Sequence, residues 1–339
     1  MSHEFDAKGS TGATQDGTGN LLLPARTIPI PKSISPEAQS VLADPRSHQP
    51  RAKWPSPADK MAWKRFVFEQ DKNIASMFAA LPPFPGNIDS RNVGAARLFE
   101  LIPDEIPVQK RDRAILYAHG GGYVMGGGEL AVKMAQSFAA QVRTKVCVVD
   151  YRMPPDHPYP AAVDDMLAVY RELLTQHVPG KMAFIGTSAG AGLAAASILR
   201  LRDLGLPLPG AAVLHTPEND LTESGDSFET NQYIDHVLVQ RITESILLYA
   251  DGHDLRDAYL SPLFGDFSKG FPPTLLTSGT RDLFLSNTVR MHRALRKAGI
   301  EADLVVFEAM PHSGFGGAPE DAELLQVHCE FIDDVFGRR

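Results

Sequence analysis

Cysteine is scarce, with only Cys147 and Cys329 in 339 residues. Two thiols close one bridge at most, so a disulfide-stapled scaffold is excluded. Cys147 stands in an apolar strand-like run and Cys329 in a helix-like one, and both are expected as buried free thiols. No apolar run approaches the ~18 residues of a membrane span. Basic blocks are missing too: 33 Lys and Arg against 41 Asp and Glu leave a formal charge of −8, which argues against a nucleic-acid partner. There is no H-E-x-x-H and the histidines are scattered, so neither a metal nor a cofactor is expected. What remains, 43% hydrophobic and 22% charged residues, is ordinary for a folded chain and unlike collagen, a coiled coil or a disordered polymer. The length suits one large domain with a small appendage.

The first ~30 residues are polar and rich in Gly, Ser and Thr, and read as a loose tail. Met1 to Asn20 has no basic segment followed by an apolar stretch, so no signal peptide is expected and a cytoplasmic location is. Ser35-Pro36-Glu37 predicts a capped helix start and Ser56-Pro57 a second. Met61, Trp63, Phe66, Val67 and Phe68, then Ile74, Met77 and Phe78, recur at helical spacing, and such a stripe must cover something else. From about Asn92 short apolar runs alternate with helical stretches. Strands are predicted at 113–118, 145–149, 181–185, 210–214, 273–277 and 302–307. Helices are predicted at 161–174, 189–203, 288–297 and 319–336. This alternation means an α/β fold, a mostly parallel sheet with helices on both faces. The stretch from Asp220 to Leu255 interrupts the rhythm and reads as an insertion, helical around 239–249.

Gly186-Thr187-Ser188-Ala189-Gly190 fits G-x-S-x-G between a predicted strand and a predicted helix, the context in which that turn lifts a serine hydroxyl off a sheet edge. Side chains two residues either side would collide. The following helix N-terminus also favours a developing oxyanion. An incidental serine in a Gly/Ala-rich turn is the bland reading. A sharper rival is Gly190-x-Gly192-x-x-Ala195, the loose dinucleotide pattern. It begins too late after its strand, and no acidic residue ends the next one. His119-Gly120-Gly121-Gly122 directly follows the 113–118 strand. Bare glycine N–H groups there can approach a substrate oxygen, as in the HGGG-type loop that completes an oxyanion hole. No Lys-Ser or Lys-Thr follows, so it is no phosphate loop.

A nucleophilic serine needs a histidine to take its proton and an acid to orient that histidine, in the chain order serine, acid, histidine on this kind of turn. His292 and His328 lie inside predicted helices, and His236 and His253 lie in the insertion. His312 follows the last strand in Met310-Pro311-His312-Ser313-Gly314, poised at its C-terminal end. Asp282 follows the 273–277 strand. Glu218 and Asp220 also follow a strand and are its rivals. His119 and His157 read as structural.

Together these motifs resemble the hormone-sensitive-lipase-like family of α/β-hydrolases, in its bacterial carboxylesterase branch. The resemblance rests on His119–Gly122, Gly186–Gly190, Asp282 and His312, and on Asp150-Tyr-Arg-Met-Pro-Pro-Asp-His157-Pro-Tyr-Pro-Ala-Ala162. It covers about 92–339. It implies Ser188 as nucleophile, His312 as base, Asp282 as acid, and an oxyanion hole of the Gly121, Gly122 and Ala189 N–H groups. It also implies an α/β-hydrolase fold with a small helical cap: a tail and cap segment over 1–85, a catalytic domain over 86–339, and a cap insertion at about 220–255. Three positions depart from the family. Thr187 stands where many members have Asp. His215-Thr-Pro-Glu-Asn-Asp220 replaces Ser-Pro-Trp-x-Asp. Asp282-Leu-Phe replaces Asp-Pro-Leu.

The expected activity is hydrolysis of short- to medium-chain acyl esters through an acyl-enzyme. The chain is also similar to bacterial lactone hydrolases of the family, so a small-molecule ester or lactone is the expected partner. A non-catalytic small-molecule receptor on this fold typically loses the histidine, which is kept here. Tyr123 and Glu218 are the candidate substrate-binding residues, and a homodimer stays open.

Overall fold

The computed structural model describes residues 12–45 and 52–338. The tail reading of residues 1–11 lies outside them. Within the rest of the expected tail, β1 (Thr14–Gln15) and β2 (Leu21–Leu22) pair antiparallel. Asp16 accepts from the Thr18 and Asn20 N–H groups between them, which makes a local turn.

Helix α1 (Pro36–Ala43) is capped by Ser35, whose hydroxyl accepts from Ala38 N–H. Helix α2 (Lys60–Met77) starts later than Ser56-Pro57 predicts, because Asp59 supplies the capping oxygen for Ala62 N–H. Its apolar stripe is only partly covered. Trp63 is buried with Val124, Met125 and Leu248, while Met61, Phe68 and Met77 are 62%, 67% and 76% exposed.

The central sheet has eight strands: β3 (Gly86–Val93), β4 (Ala96–Pro103), β5 (Ala114–Ala118), β6 (Lys145–Asp150), β7 (Met182–Thr187), β8 (Ala211–His215), β9 (Thr274–Gly279) and β10 (Ala302–Phe307). Their order is β10-β9-β8-β7-β5-β6-β4-β3. The six from β10 to β6 are parallel; β4 and β3 are antiparallel. The β3–β4 hairpin was not anticipated. β3 is an edge strand of mostly exposed polar residues, which carries little apolar signal.

The parallel strands are covered on both faces and read as continuous apolar runs. Side chains alternate between faces: Ala114, Leu116 and Ala118 of β5 join one core, and Ile115 and Tyr117 join the other. The first core is closed by α4 (Ala161–Leu173), α5 (Ala189–Asp203) and α8 (Leu285–Lys297). The second is closed by α3 (Glu129–Val142) and α9 (Pro319–Gly337). Helix α3 was also missed in the sequence, where the glycines up to its N-cap Gly128 obscure its start. The insertion holds α6 (Ser227–Thr230) and α7 (Thr243–Ala250), shorter than the 239–249 expectation. Cys147 and Cys329 are free and buried. Among the described residues no helix is long and apolar enough to cross a membrane.

Register aligns the C-terminal strand ends. Thr187 pairs with His215, His215 with Thr277, and Phe307 with Gly279. The loops that follow β7, β8, β9 and β10 therefore emerge side by side, at the edge where open α/β sheets bind ligands.

Candidate active site

Ser188 sits between β7 and α5 with φ +57° and ψ −125°, a backbone state costly for a residue with a side chain. The turn is held from three sides. Ser188 N–H donates to His215 O at 2.9 Å, and Ser188 O accepts from Ala191, Gly192 and Glu218 N–H at 3.0–3.1 Å. Close approach explains the flanking glycines. A β carbon on Gly186 would strike Gly190 O, and one on Gly190 would strike Ala118 O.

His312 lies in the loop after β10, its ring edge-on to Phe284 with centroids 4.8 Å apart. Its Nε2 is 2.8 Å from Ser188 Oγ and its Nδ1 is 2.9 Å from Asp282 Oδ1. A carboxylate only accepts, so Nδ1 carries the proton and Nε2 is left to accept from the serine hydroxyl. Asp282 is held in turn. Ser278 Oγ donates to Oδ2 at 2.6 Å and Phe284 N–H to Oδ1 at 2.9 Å. All three side chains are buried, Ser188 the most open at 8% exposure.

The rival acids are engaged elsewhere. Asp220 accepts from Arg290 at 2.5 Å, Thr222 Oγ1 at 2.6 Å and Ser224 Oγ at 2.8 Å. Burial would raise its carboxyl, but these donors outweigh burial and hold it below the usual range. Glu218 is fully buried. Burial first, then Glu223, Asp220 and Asp282, push its carboxyl well above the usual range, which favours the neutral acid. Asn287 Nδ2 reaches its Oε1 at 3.4 Å, and Oε2 meets no hydrogen-bonding partner among the described residues.

Tyr123 donates its hydroxyl to Glu218 O at 3.0 Å and stacks on Tyr249 at 4.1 Å. It braces the loop after β5. Gly121 and Gly122 have φ +121° and +59°, and a β carbon on Gly121 would strike Met125 O. The loop turns around Gly121 O, which accepts from Val124 and Met125 N–H. The N–H groups of Gly121, Gly122 and Ala189 join none of these turn and loop backbone bonds. Ser245 Oγ of α7 donates to Gly122 O. His119 is buried, stacked on Tyr151 at 4.2 Å, and burial brings its imidazole down to about 4. His157 is exposed. His253 meets Ala250 O, His292 meets Ala302 O, and His328 meets Thr277 Oγ1.

Beside the Gly121–Gly122 loop lies a cavity of about 140 Å³ lined by Trp54, Phe66, Met125, Leu238 and Ile242. A β carbon on Gly122 would be 3.8 Å from both Trp54 and Ile242. Residues from the N-terminal segment and from the insertion thus meet at this loop.

Sequence reasoning missed Asp235. Its carboxylate oxygens accept from Leu283 N–H at 2.9 Å and from His312 N–H at 3.3 and 3.4 Å. The only local hint is an Asp that accepts from the N–H groups two and three residues on. Among the described residues, Asp235, Asp282 and His312 bring possible metal-binding atoms within 4.8 Å. Each of the three is already committed to protein hydrogen bonds.

A serine on a strained strand-to-helix turn, at the C-terminal edge of an eight-stranded mostly parallel sheet, defines the α/β-hydrolase class. The family model described as "alpha/beta hydrolase fold" matches residues 115–315. An acetyl-hydrolase of Streptomyces hygroscopicus is 37% identical over 242 residues, covering 68% of this chain and 79% of its own. An esterase of Acinetobacter venetianus is 31% identical over 231 residues, 67% of this chain and 76% of its own. Among solved structures, esterase E25 superposes with a TM-score of 0.83 at 33% identity, covering 92% of this chain and 97% of that one. An esterase from the bacterial hormone-sensitive lipase family superposes with a TM-score of 0.79 at 29% identity, covering 89% and 99%. The chain belongs to the α/β-hydrolase family, in its bacterial hormone-sensitive-lipase-like branch, and is a carboxylic ester hydrolase.

Proposed function

We propose that the protein hydrolyses short- to medium-chain acyl esters, roughly C2 to C8, through an acyl-enzyme on Ser188. The hydrogen-bonded chain from Ser188 Oγ through His312 to Asp282, at 2.8 and 2.9 Å, carries this reading. Ser188 Oγ attacks the ester carbonyl as His312 Nε2 takes its proton. The Gly121, Gly122 and Ala189 N–H groups receive the oxyanion, and Asp282 holds the imidazole in the required tautomer. The tetrahedral adduct collapses with cleavage of the C–O bond to the alcohol, and His312 protonates that leaving oxygen. Water then repeats the sequence on the acyl-serine, releasing the acid and restoring the serine.

The small acyl group is supported by the crowding beside Gly122, where Trp54 and Ile242 would stand 3.8 Å from a β carbon. A relative is named an acetyl-hydrolase. In this reading the N-terminal helical segment and the 220–255 insertion form the cap, because Trp54 and Phe66 of one and Leu238 and Ile242 of the other line the same cavity.

Ser188→Ala tests the reading. Turnover of p-nitrophenyl acetate falls by more than ~10³-fold with the melting temperature kept, and fluorophosphonate labelling disappears. A variant that keeps more than about a tenth of the activity sinks the nucleophile assignment.

A further inference from the structure

The insertion places one more carboxylate against the Ser188–His312–Asp282 chain. Asp235 is fully buried. Its Oδ1 accepts from Val237 and Leu238 N–H at 2.9 and 3.1 Å, and its Oδ2 from Leu283 N–H at 2.9 Å. His312 N–H lies 3.3–3.4 Å from both oxygens. Every one of these partners is a donor, which is the environment of an ionised carboxylate. Leu283 directly follows Asp282, so a single side chain grips the backbone of both the acid's turn and the histidine's loop from a third element. Leu238, held through its own N–H, also lines the cavity beside Gly122.

We propose that Asp235 is a positioning residue for His312: it fixes the imidazole's loop to the cap insertion and keeps a second negative charge beside the imidazolium formed during turnover. The proposal rests on Ser188 and His312 being the reacting pair. Other titratable groups face the same place. Asp282 approaches from the β9 turn, His215 from β8, and Glu218, from the following loop, faces Asp282. Burial brings His215 down to about 4 and pushes Glu218 up, which favours the neutral form of each. Asp235 and Asp282 are the two buried carboxyl groups that lie against His312. Burial, helped by the neighbouring Asp282, raises the Asp235 carboxyl on balance, although His312 and the N–H donors pull it down.

The test is the pH profile of kcat/KM, from pH 4.5 to 9 on p-nitrophenyl acetate, for the full chain and its Asp235→Asn, Asp235→Ser and Asp235→Glu variants. Serine leaves room for water where the asparagine amide would oppose Leu283 N–H. Removing the charge makes the imidazolium less favourable, so the base stays neutral to lower pH. Asn and Ser are expected to lower kcat by roughly 10–100-fold with KM within about threefold, and to move the acidic limb down by about half to one pH unit. Glu keeps the limb where it was. A loss of kcat with the limb unmoved makes Asp235 merely structural and overturns the proposal, as does an unchanged kcat. It is equally overturned if neither charge-free variant folds, since Asp235 is then a folding residue. Ser188→Ala is assayed alongside, and retained turnover there indicts the nucleophile reading instead.

Discussion

Gly186 and Gly190 close on each other across the turn that carries Ser188: the α carbon of Gly186 faces Gly190 O so closely that a β carbon would overlap it. The second glycine is pressed against Ala118 O of the neighbouring strand. Both obstacles are backbone, which cannot rotate away. Gly190→Ala is expected to destabilise the fold by roughly 2–4 kcal/mol and to abolish turnover by displacing the serine. Thermal melting with activity at permissive temperature checks this, and a variant with wild-type melting and rate refutes the close-packing account.

The acid should separate cleanly from its neighbours. Asp282→Asn is expected to lower kcat by roughly 10³–10⁴-fold with little change in KM, because the imidazole loses its orienting carboxylate. Asp220→Asn should instead weaken the Arg290 contact and act on stability. Glu218→Gln should keep near-normal kcat. Its sign in stability is defined: the folded-state carboxyl is raised, so wild-type stability falls as pH rises above the unfolded value, about 4.5. A permanently neutral Gln escapes that loss. The Gln variant should match wild type at pH 4 and melt higher at pH 8. Collapse of kcat in Asp220→Asn or Glu218→Gln, with Asp282→Asn unaffected, would move the acid one strand earlier.

Acyl preference should follow the cavity wall. Trp54→Ala and Ile242→Ala remove side chains next to Gly122, and cavities left by such truncations close only in part. The optimum on a panel of C2 to C16 p-nitrophenyl esters is expected to move to longer chains by two carbons or more. Simple lactones are run in the same panel. An unchanged chain-length profile in both variants would show that the acyl group lies elsewhere.

Acid should unfold this protein through its buried histidines. Burial brings His119 and His215 down to about 4 and pushes His328 well below its ordinary value. The unfolded chain then takes up protons that the folded chain refuses, so stability is lost as pH falls from about 6.5 towards 4. For His119 and His215 the loss is on the order of 3 kcal/mol each. Urea unfolding at pH 7, 5.5 and 4.5 measures it. His215→Asn should flatten the slope, and an equal slope in that variant would assign the acid sensitivity to other groups.

The strands buried on both faces, the helices between them and the serine turn can be read along the chain, because each is written within a few consecutive residues. An apolar run flanked by polar turns specifies β5, and two glycines around Ser188 specify the turn. His312 stood out because it follows the last strand directly. The edge hairpin β3–β4 and helix α3 did not, since β3 has no apolar alternation and glycines precede α3. Of the three carboxylates after strands, Asp282 is favoured along the chain by lying one helix and one strand before His312, 30 residues away, but spacing alone does not bring it to the imidazole. Which of them meets the histidine depends on strand order and register, which set β9, rather than β8, beside β10. Asp235 had even less to announce it. It lies 48 residues from Leu283 and 77 from His312, in a segment with no strand pattern. Its place beside the imidazole arises only when the insertion folds back over the strand ends and its carboxylate finds N–H groups that would otherwise be buried without a partner.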